Sequence, residues 1–100
     1  MKLNEKVVVI TGASSGIGKA LAIEFARRGA NLVVAARQYV ALCELTESLI
    51  KEYGIKAVAV QCDVTLEEDC DHLIKQAITT FGKIDILINN AGISMSILKC

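Results

Sequence analysis

Ile10-Thr11-Gly12-Ala13-Ser14-Ser15-Gly16-Ile17-Gly18-Lys19-Ala20-Leu21-Ala22 sets three glycines and two serines between a run of branched apolar residues and an alanine-rich stretch. The pattern reads as strand, tight turn and helix. A helix opening of this kind presents free backbone amides and a partial positive charge, so it invites an anion. Three chemistries use such a unit, and each demands its own spacing. A Walker A loop requires G-x-x-x-x-G-K-[ST], but with Gly18-Lys19 as its anchor the first glycine falls on Ala13 and the hydroxyl on Ala20, so the turn and the magnesium ligand are both missing. A nucleophile elbow requires G-x-S-x-G, which Gly12-Ala13-Ser14-Ser15-Gly16 satisfies. Its serine needs an acid and then a histidine further along, and the one histidine, His72, falls on the polar side of a later helix. A dinucleotide pyrophosphate site remains. The G-x-G-x-x-G form fails at Leu21, and what stands here is T-G-x-x-x-G-x-G, with Gly12, Gly16 and Gly18.

Outward from this turn, the chain alternates regularly. Lys6 to Thr11 reads as a buried strand and Ile17 to Arg28 as a helix with Ile17, Ala20, Leu21 and Phe25 at helical spacing, Arg27 and Arg28 in its last turn and Gly29 as its stop. Asn31 to Ala36 is a second strand. Leu42, Leu45, Leu49 and Tyr53 mark a second helix closing at Gly54, and Lys56 to Cys62 a third strand. Thr65-Leu66-Glu67-Glu68 has the capping-box pattern, which opens a third helix with the stripe Leu66, Cys70, Leu73, Ile74, Ala77, Ile78 and Phe81, ended by Gly82. Ile84 to Ile88 is a fourth strand leading into Asn89-Asn90-Ala91-Gly92, while Ile93 to Cys100 carries no pattern long enough to assign.

The fold class this predicts is α/β: a Rossmann-like, doubly wound parallel sheet, partial, with four strands in the order 3-2-1-4 and three helices. That order brings the Gly12–Gly18 turn and the Asn89–Gly92 element to one crevice between the carboxyl ends of the first and fourth strands. It also leaves the fourth strand with one unpaired edge, from which marginal stability or self-association is expected.

Composition agrees. Residues 1–100 make one small domain, 53% hydrophobic yet only 4% aromatic, which suits a sheet of Val, Ile, Leu and Ala buried on both faces. Eleven basic and eleven acidic side chains cancel, so no overall field draws the protein to nucleic acid or a membrane. The early apolar run Val7 to Ile10 is too short for a membrane span or signal segment, and a cytoplasmic location is expected. Cys43, Cys62, Cys70 and Cys100 form no C-x-x-C pair, and with a single histidine no zinc spacing exists, so no metal site is expected.

The T-G-x-x-x-G-x-G turn, Asp63-Val64 after the third strand and Asn89-Asn90-Ala91-Gly92 after the fourth together resemble the short-chain dehydrogenase/reductase family, of the classical type. The three motifs lie in family order at the ends of three different strands. The resemblance implies that Gly12, Ser14, Ser15, Gly16 and Ile17 wrap the cofactor phosphates, with Gly18 permitting close helix packing. Asp63 would bond the adenine amino group and Val64 shape the adenine slot. Asn90, with Ala91 and Gly92 beside it, would adjoin the nicotinamide ribose, and Asn89 would tie strand ends together.

The end of the second strand bears on which nicotinamide cofactor fits. A free ribose 2'-hydroxyl calls for an Asp or Glu about 20 residues beyond the glycines. Here Val33-Val34-Ala35-Ala36-Arg37-Gln38 offers no acid, and a guanidinium follows at once. Charge attraction between Arg37 and a phosphate at about 4 Å amounts to roughly 4 kcal/mol in a surface-like dielectric, and a third of that is about tenfold in affinity. NADP(H) is therefore expected in preference to NAD(H).

Family members oxidise alcohols or reduce carbonyls with a downstream serine and a Tyr-x-x-x-Lys pair. Tyr39 is followed four places on by Cys43 and Tyr53 by Ala57, so no catalytic residue is assigned here. Residues 1–100 are expected to be the dinucleotide-binding half, truncated before the catalytic segment. The function implied is an NADP(H)-dependent oxidoreductase acting on a small-molecule carbonyl or alcohol, homo-oligomeric at full length. The alternative is a non-catalytic dinucleotide-binding or interaction module.

Overall fold

A computed structural model describes residues 2–90 and 96–99, the last four by their backbone alone. The elements are β1 (Val7–Thr11), α1 (Gly16–Arg27), β2 (Asn31–Ala36), α2 (Tyr39–Tyr53), β3 (Ala57–Gln61), α3 (Glu67–Phe81), β4 (Ile86–Asn89) and β5 (Ser96–Lys99). They form one sheet in the order β3-β2-β1-β4-β5. The first four strands are parallel, with Val9 opposite Val33 on one side and Leu87 on the other, and Val33 opposite Val58.

The order 3-2-1-4 is therefore present, with an addition. Between Ile93 and Cys100, where no element is legible in the sequence, β5 pairs antiparallel with β4, Leu98 opposite Leu87. The β4 edge expected to stand open is covered, because a short strand needs only a row of free amides and carbonyls to pair with, not a long hydrophobic pattern of its own.

Strand alternation divides the core in two. Val8, Ile10, Leu32 and Val34 point to the face covered by α1 and α2, where they meet Ala22, Ala26, Leu42, Leu45 and Leu49. Val9, Val33 and Ala35 point to the opposite face, against Leu73 and Ala77 of α3. All five residues of β1 are buried, as a central strand covered on both faces requires. Burying each Val or Ile of that strand contributes roughly 1.5–3 kcal/mol relative to exposure.

Two helix faces differ from expectation. In α1, Ile17 is 63% exposed and Ala20 lies outward, while Gly18, Ala22 and Ala26 are buried and Leu21 and Phe25 half-buried. The helix lies so close to the sheet that only small side chains fit its contact line, and the larger ones flank it. In α3, Leu73 and Ala77 are buried, but Leu66, Ile74 and Ile78 are exposed, because no other helix among the described residues shares that face. No described helix is long and apolar enough to cross a membrane.

Candidate functional site, a cleft at the carboxyl ends of four strands

Parallel strands bring all their carboxyl ends to one rim, and a cleft of about 410 Å³ opens there. Gly12, Ser14 and Ser15 line it from the turn after β1, and Ala36, Arg37 and Gln38 from the segment after β2. Cys62, Asp63, Val64 and Thr65 come from the segment after β3, and Asn90 from the end of β4. Seven of the residues singled out from the sequence thus meet in one place: Gly12, Ser14, Ser15, Arg37, Asp63, Val64 and Asn90. Gly16, Ile17 and Gly18 form the first turn of α1 beside them. Ala91 and Gly92 lie outside the described residues.

The turn is built for close approach. Gly12 and Gly16 adopt φ of 65° and 59°, a region that L side chains rarely enter. Gly18 has an ordinary conformation but no room: a Cβ there would run into the carbonyl oxygen of Gly12 and stand 2.7 Å from Asn90 Nδ2. The missing side chain lets α1 press the turn against the end of β4.

Ser15, at the N-cap of α1, is extended, and its hydroxyl caps no amide. No acidic residue occupies the first turn. Among the described residues the amides of Gly16, Ile17 and Gly18 donate no hydrogen bond. A helix opening that lacks both cap and carboxylate forgoes about 1 kcal/mol of stabilisation that either would supply. An anion placed there would restore it.

The joint between β1 and β4 is made by Thr11, which is buried. Its hydroxyl accepts the Asn90 N–H at 2.9 Å and donates to Asn89 Oδ1 at 2.9 Å, with the Ile88 carbonyl at 3.5 Å. Asn90 is thereby held by its backbone at the cleft floor. Sequence reasoning treated this threonine only as the first letter of the glycine motif; a hydroxyl ending an otherwise apolar central strand was the available signal.

Across the cleft, Asp63 Oδ1 accepts both the Thr65 hydroxyl, at 2.6 Å, and the Thr65 N–H, at 3.0 Å. These bonds, hydroxyl first, and the charge of Arg37 hold the Asp63 carboxyl below its ordinary range. Thr65 is therefore not the capping-box residue its spacing suggests. The N-cap of α3 is Leu66, with no side-chain cap, since the Thr65 hydroxyl is committed to Asp63. Asp69 takes the part expected of the box, its Oδ2 accepting the Asp63 N–H at 2.9 Å.

No described residue of the cleft is poised as a nucleophile. Ser14 donates its hydroxyl to Gln38 Oε1 at 3.0 Å, and His72 is exposed on α3 and does not line the cleft. Burial pushes the Cys62 thiol up to about 11, with Cys70 beside it adding to the rise. The described residues hold no group of three or more potential metal ligands. Gln38 and Thr65 line the cleft without having been named from the sequence as site residues, Thr65 having been read only as a helix cap.

Comparison with known proteins accords with this geometry. The family model described as short chain dehydrogenase matches residues 6–99. The 11-beta-hydroxysteroid dehydrogenase A of Sesamum indicum is 50% identical over 95 residues, which is 94% of this chain and 27% of that protein. An uncharacterized oxidoreductase of Bacillus subtilis is also 50% identical, over 93% of this chain and 26% of its own length. Among solved structures, L-sorbose reductase from Gluconobacter frateurii, complexed with NADPH and L-sorbose, superposes with a TM-score of 0.88 at 44% identity, covering 92% of this chain and 35% of the reductase. A short-chain dehydrogenase from Sphingobium yanoikuyae in complex with NADPH gives a TM-score of 0.78 at 44% identity, over 89% of this chain and 35% of that one. The chain spans about a quarter to a third of the length of these relatives.

Proposed function

The chain belongs to the short chain dehydrogenase family, and from that premise we propose that its cleft holds NADP(H) for an oxidoreductase acting on a small-molecule carbonyl or alcohol. The carrying observation is the company Arg37 keeps. It lines the same cleft as Gly12 and Asp63, no carboxylate stands at the end of β2, and its guanidinium makes no hydrogen bond or ion pair among the described residues. A guanidinium so placed suits the 2'-phosphate that distinguishes NADP from NAD. The L-sorbose reductase and the Sphingobium dehydrogenase, each solved with NADPH, lend support.

The residues divide the work of binding. The diphosphate would sit against the uncapped amides of Gly16, Ile17 and Gly18, where the helix dipole favours negative charge and Gly12 admits the backbone closely. Asp63, its carboxylate orientation fixed by Thr65, would accept the adenine amino group, and Val64 would pack on the ring. Asn90, fastened through Thr11, would border the nicotinamide ribose. When bound, the nicotinamide supplies or accepts the hydride. Carbonyl reduction or alcohol oxidation is proposed from the family, and cofactor choice from Arg37.

Titration of the protein with NADPH and NADH separately tests this reading. Tighter binding of NADPH is expected, by about tenfold or more, and Arg37→Asp should reverse the order. Equal affinities in the unaltered protein, or an unchanged ratio in the variant, would refute it.

A further inference from the structure

Two thiols that the binding scheme above does not use meet behind the wall of the cleft. Cys62, just after β3, is buried and lines the cleft beside Asp63, Val64 and Thr65. Cys70 lies in the first turn of α3 and is half-buried. The two side chains share a hydrogen bond. Cys70 Sγ donates its proton to the Val64 carbonyl at 3.6 Å, and a thiol has one proton to give, so the Cys70 sulfur is the acceptor in its bond with Cys62.

Backbone bonds hold the sulfurs together without help from the thiols. The Cys62 N–H donates to the Ala36 carbonyl at 3.0 Å, and the Cys70 N–H to the Leu66 carbonyl at 3.2 Å. Between them the Asp63 N–H donates to Asp69 Oδ2 at 2.9 Å, which clasps the residue after one cysteine to the residue before the other. A buried thiol by itself is an inert filler. Burial first, and Cys70 next, keep the Cys62 thiol protonated, so a reagent from solvent meets the half-buried Cys70 sooner. Cys43, also half-buried, sits beside the Tyr39 hydroxyl instead.

We propose that Cys62 and Cys70 are an oxidation site, a dithiol that closes to a disulfide by exchange with a small disulfide of the glutathione class. The Cys70 thiolate attacks one sulfur of glutathione disulfide, whose S–S bond breaks to release one glutathione thiolate. Cys62 then gives up its proton and attacks Cys70 Sγ of the mixed disulfide, expelling the second glutathione. Two protein thiols are oxidised, one glutathione disulfide is reduced to two glutathiones, and the protons lost by the cysteines end on those glutathiones. The closed ring spans Asp63, Val64 and Thr65 of the cleft wall, and the Val64 carbonyl loses the Cys70 S–H. The site is independent of which nucleotide the cleft holds.

Trypsin cutting after lysine and arginine releases residues 57–75, which contain Cys62 and Cys70 and no other cysteine, while Cys43 falls in residues 38–51. The intact protein is equilibrated at graded ratios of glutathione to glutathione disulfide, trapped with an alkylating reagent, digested and weighed. At oxidising ratios residues 57–75 should be lighter by two hydrogens and carry no alkyl group. The midpoint should lie at least tenfold further toward reduced glutathione in the folded protein than in the same protein unfolded in urea, a difference of about 30 mV, because the fold holds the sulfurs together. Cys62→Ser should stop the reaction at a glutathione adduct on Cys70, and Cys70→Ser should leave Cys62 free of glutathione while the protein is folded. Alkylation of both cysteines at every ratio, a persistent glutathione adduct on Cys70 of the unaltered protein, or equal midpoints folded and unfolded would each overturn the inference.

Discussion

Two helices begin at the rim of the same sheet, and they treat the charge of their own openings in opposite ways. Helix α3 starts with Glu67, Glu68 and Asp69 in its first turn, and Asp69 also fastens the segment before it by accepting the Asp63 N–H. Helix α1 starts with Gly16, Ile17 and Gly18, has no acid in its first turn and takes no hydrogen bond from the Ser15 side chain. The first opening is neutralised from within the chain. The second leaves three amides and the positive end of a dipole without a partner among the described residues. Stability is built into one and forgone at the other, and the forgone one faces the cleft. A bound diphosphate fits that difference better than any intrinsic role.

The largest disturbance of this contrast comes from filling the space at which α1 meets the rest of the cleft. Gly18→Val should abolish binding of either pyridine nucleotide and lower unfolding stability by about 3 kcal/mol, since the new side chain overlaps the Gly12 carbonyl and crowds Asn90. Denaturant melts with and without NADPH check both effects. A variant that binds normally would show that the close approach is dispensable.

A second change makes α1 resemble α3. Ser15→Asp supplies the missing anionic cap, so the protein should become more stable by about 0.5–1 kcal/mol while its affinity for NADPH falls at least tenfold. The opposite signs carry the prediction. If stability and affinity rise together, the opening of α1 is not a diphosphate site.

The converse change, Asp69→Asn, removes a charge from α3. A loss of about 1 kcal/mol in stability is expected, with NADPH affinity changed less than threefold, because that opening serves the fold. Acid titration offers the smallest effect. The folded pKa of Asp63 is depressed, first by the Thr65 hydroxyl and then by the Thr65 amide. The stability this bond contributes is therefore present above the ordinary carboxylate range and lost as pH falls through the depressed folded value. Thr65→Ala should lower stability near neutrality and flatten its fall below about pH 4, so that the two proteins converge in acid.

Much of this was open to a reader of the sequence. The branched runs Val7–Ile10 and Leu32–Val34 have no polar residue to turn outward, which identifies strands covered on both faces, and each strand-helix alternation then forces a parallel crossover. Spacing and residue type marked the glycine turn and Arg37 as candidates, the family resemblance marked Asp63, and the structure sets all three at one cleft. Other features were misread. Thr65 was legible as a cap, but a hydroxyl can bond any acceptor in reach, and Asp63 lies nearer than the helix amides it was expected to serve. Ile74 and Ile78 have helical spacing, yet spacing says which residues share a side and not whether anything covers it. Strand β5 escaped notice because its pairing depends on the exposed edge of β4 and hardly at all on its own letters.

The sequence by itself determined the strand-turn-helix unit, the parallel order and the shortage of acid at both the glycine turn and the end of β2, because these depend on backbone periodicity and on residues close to one another in the chain. Only the tertiary structure decided that Thr11 would hold Asn89 and Asn90, 78 and 79 residues away, and that Ser14 would meet Gln38. Those contacts require the strands to be set side by side in register first. A hydrogen bond acts over about 3 Å, so no local pattern can specify a partner that register alone brings within reach.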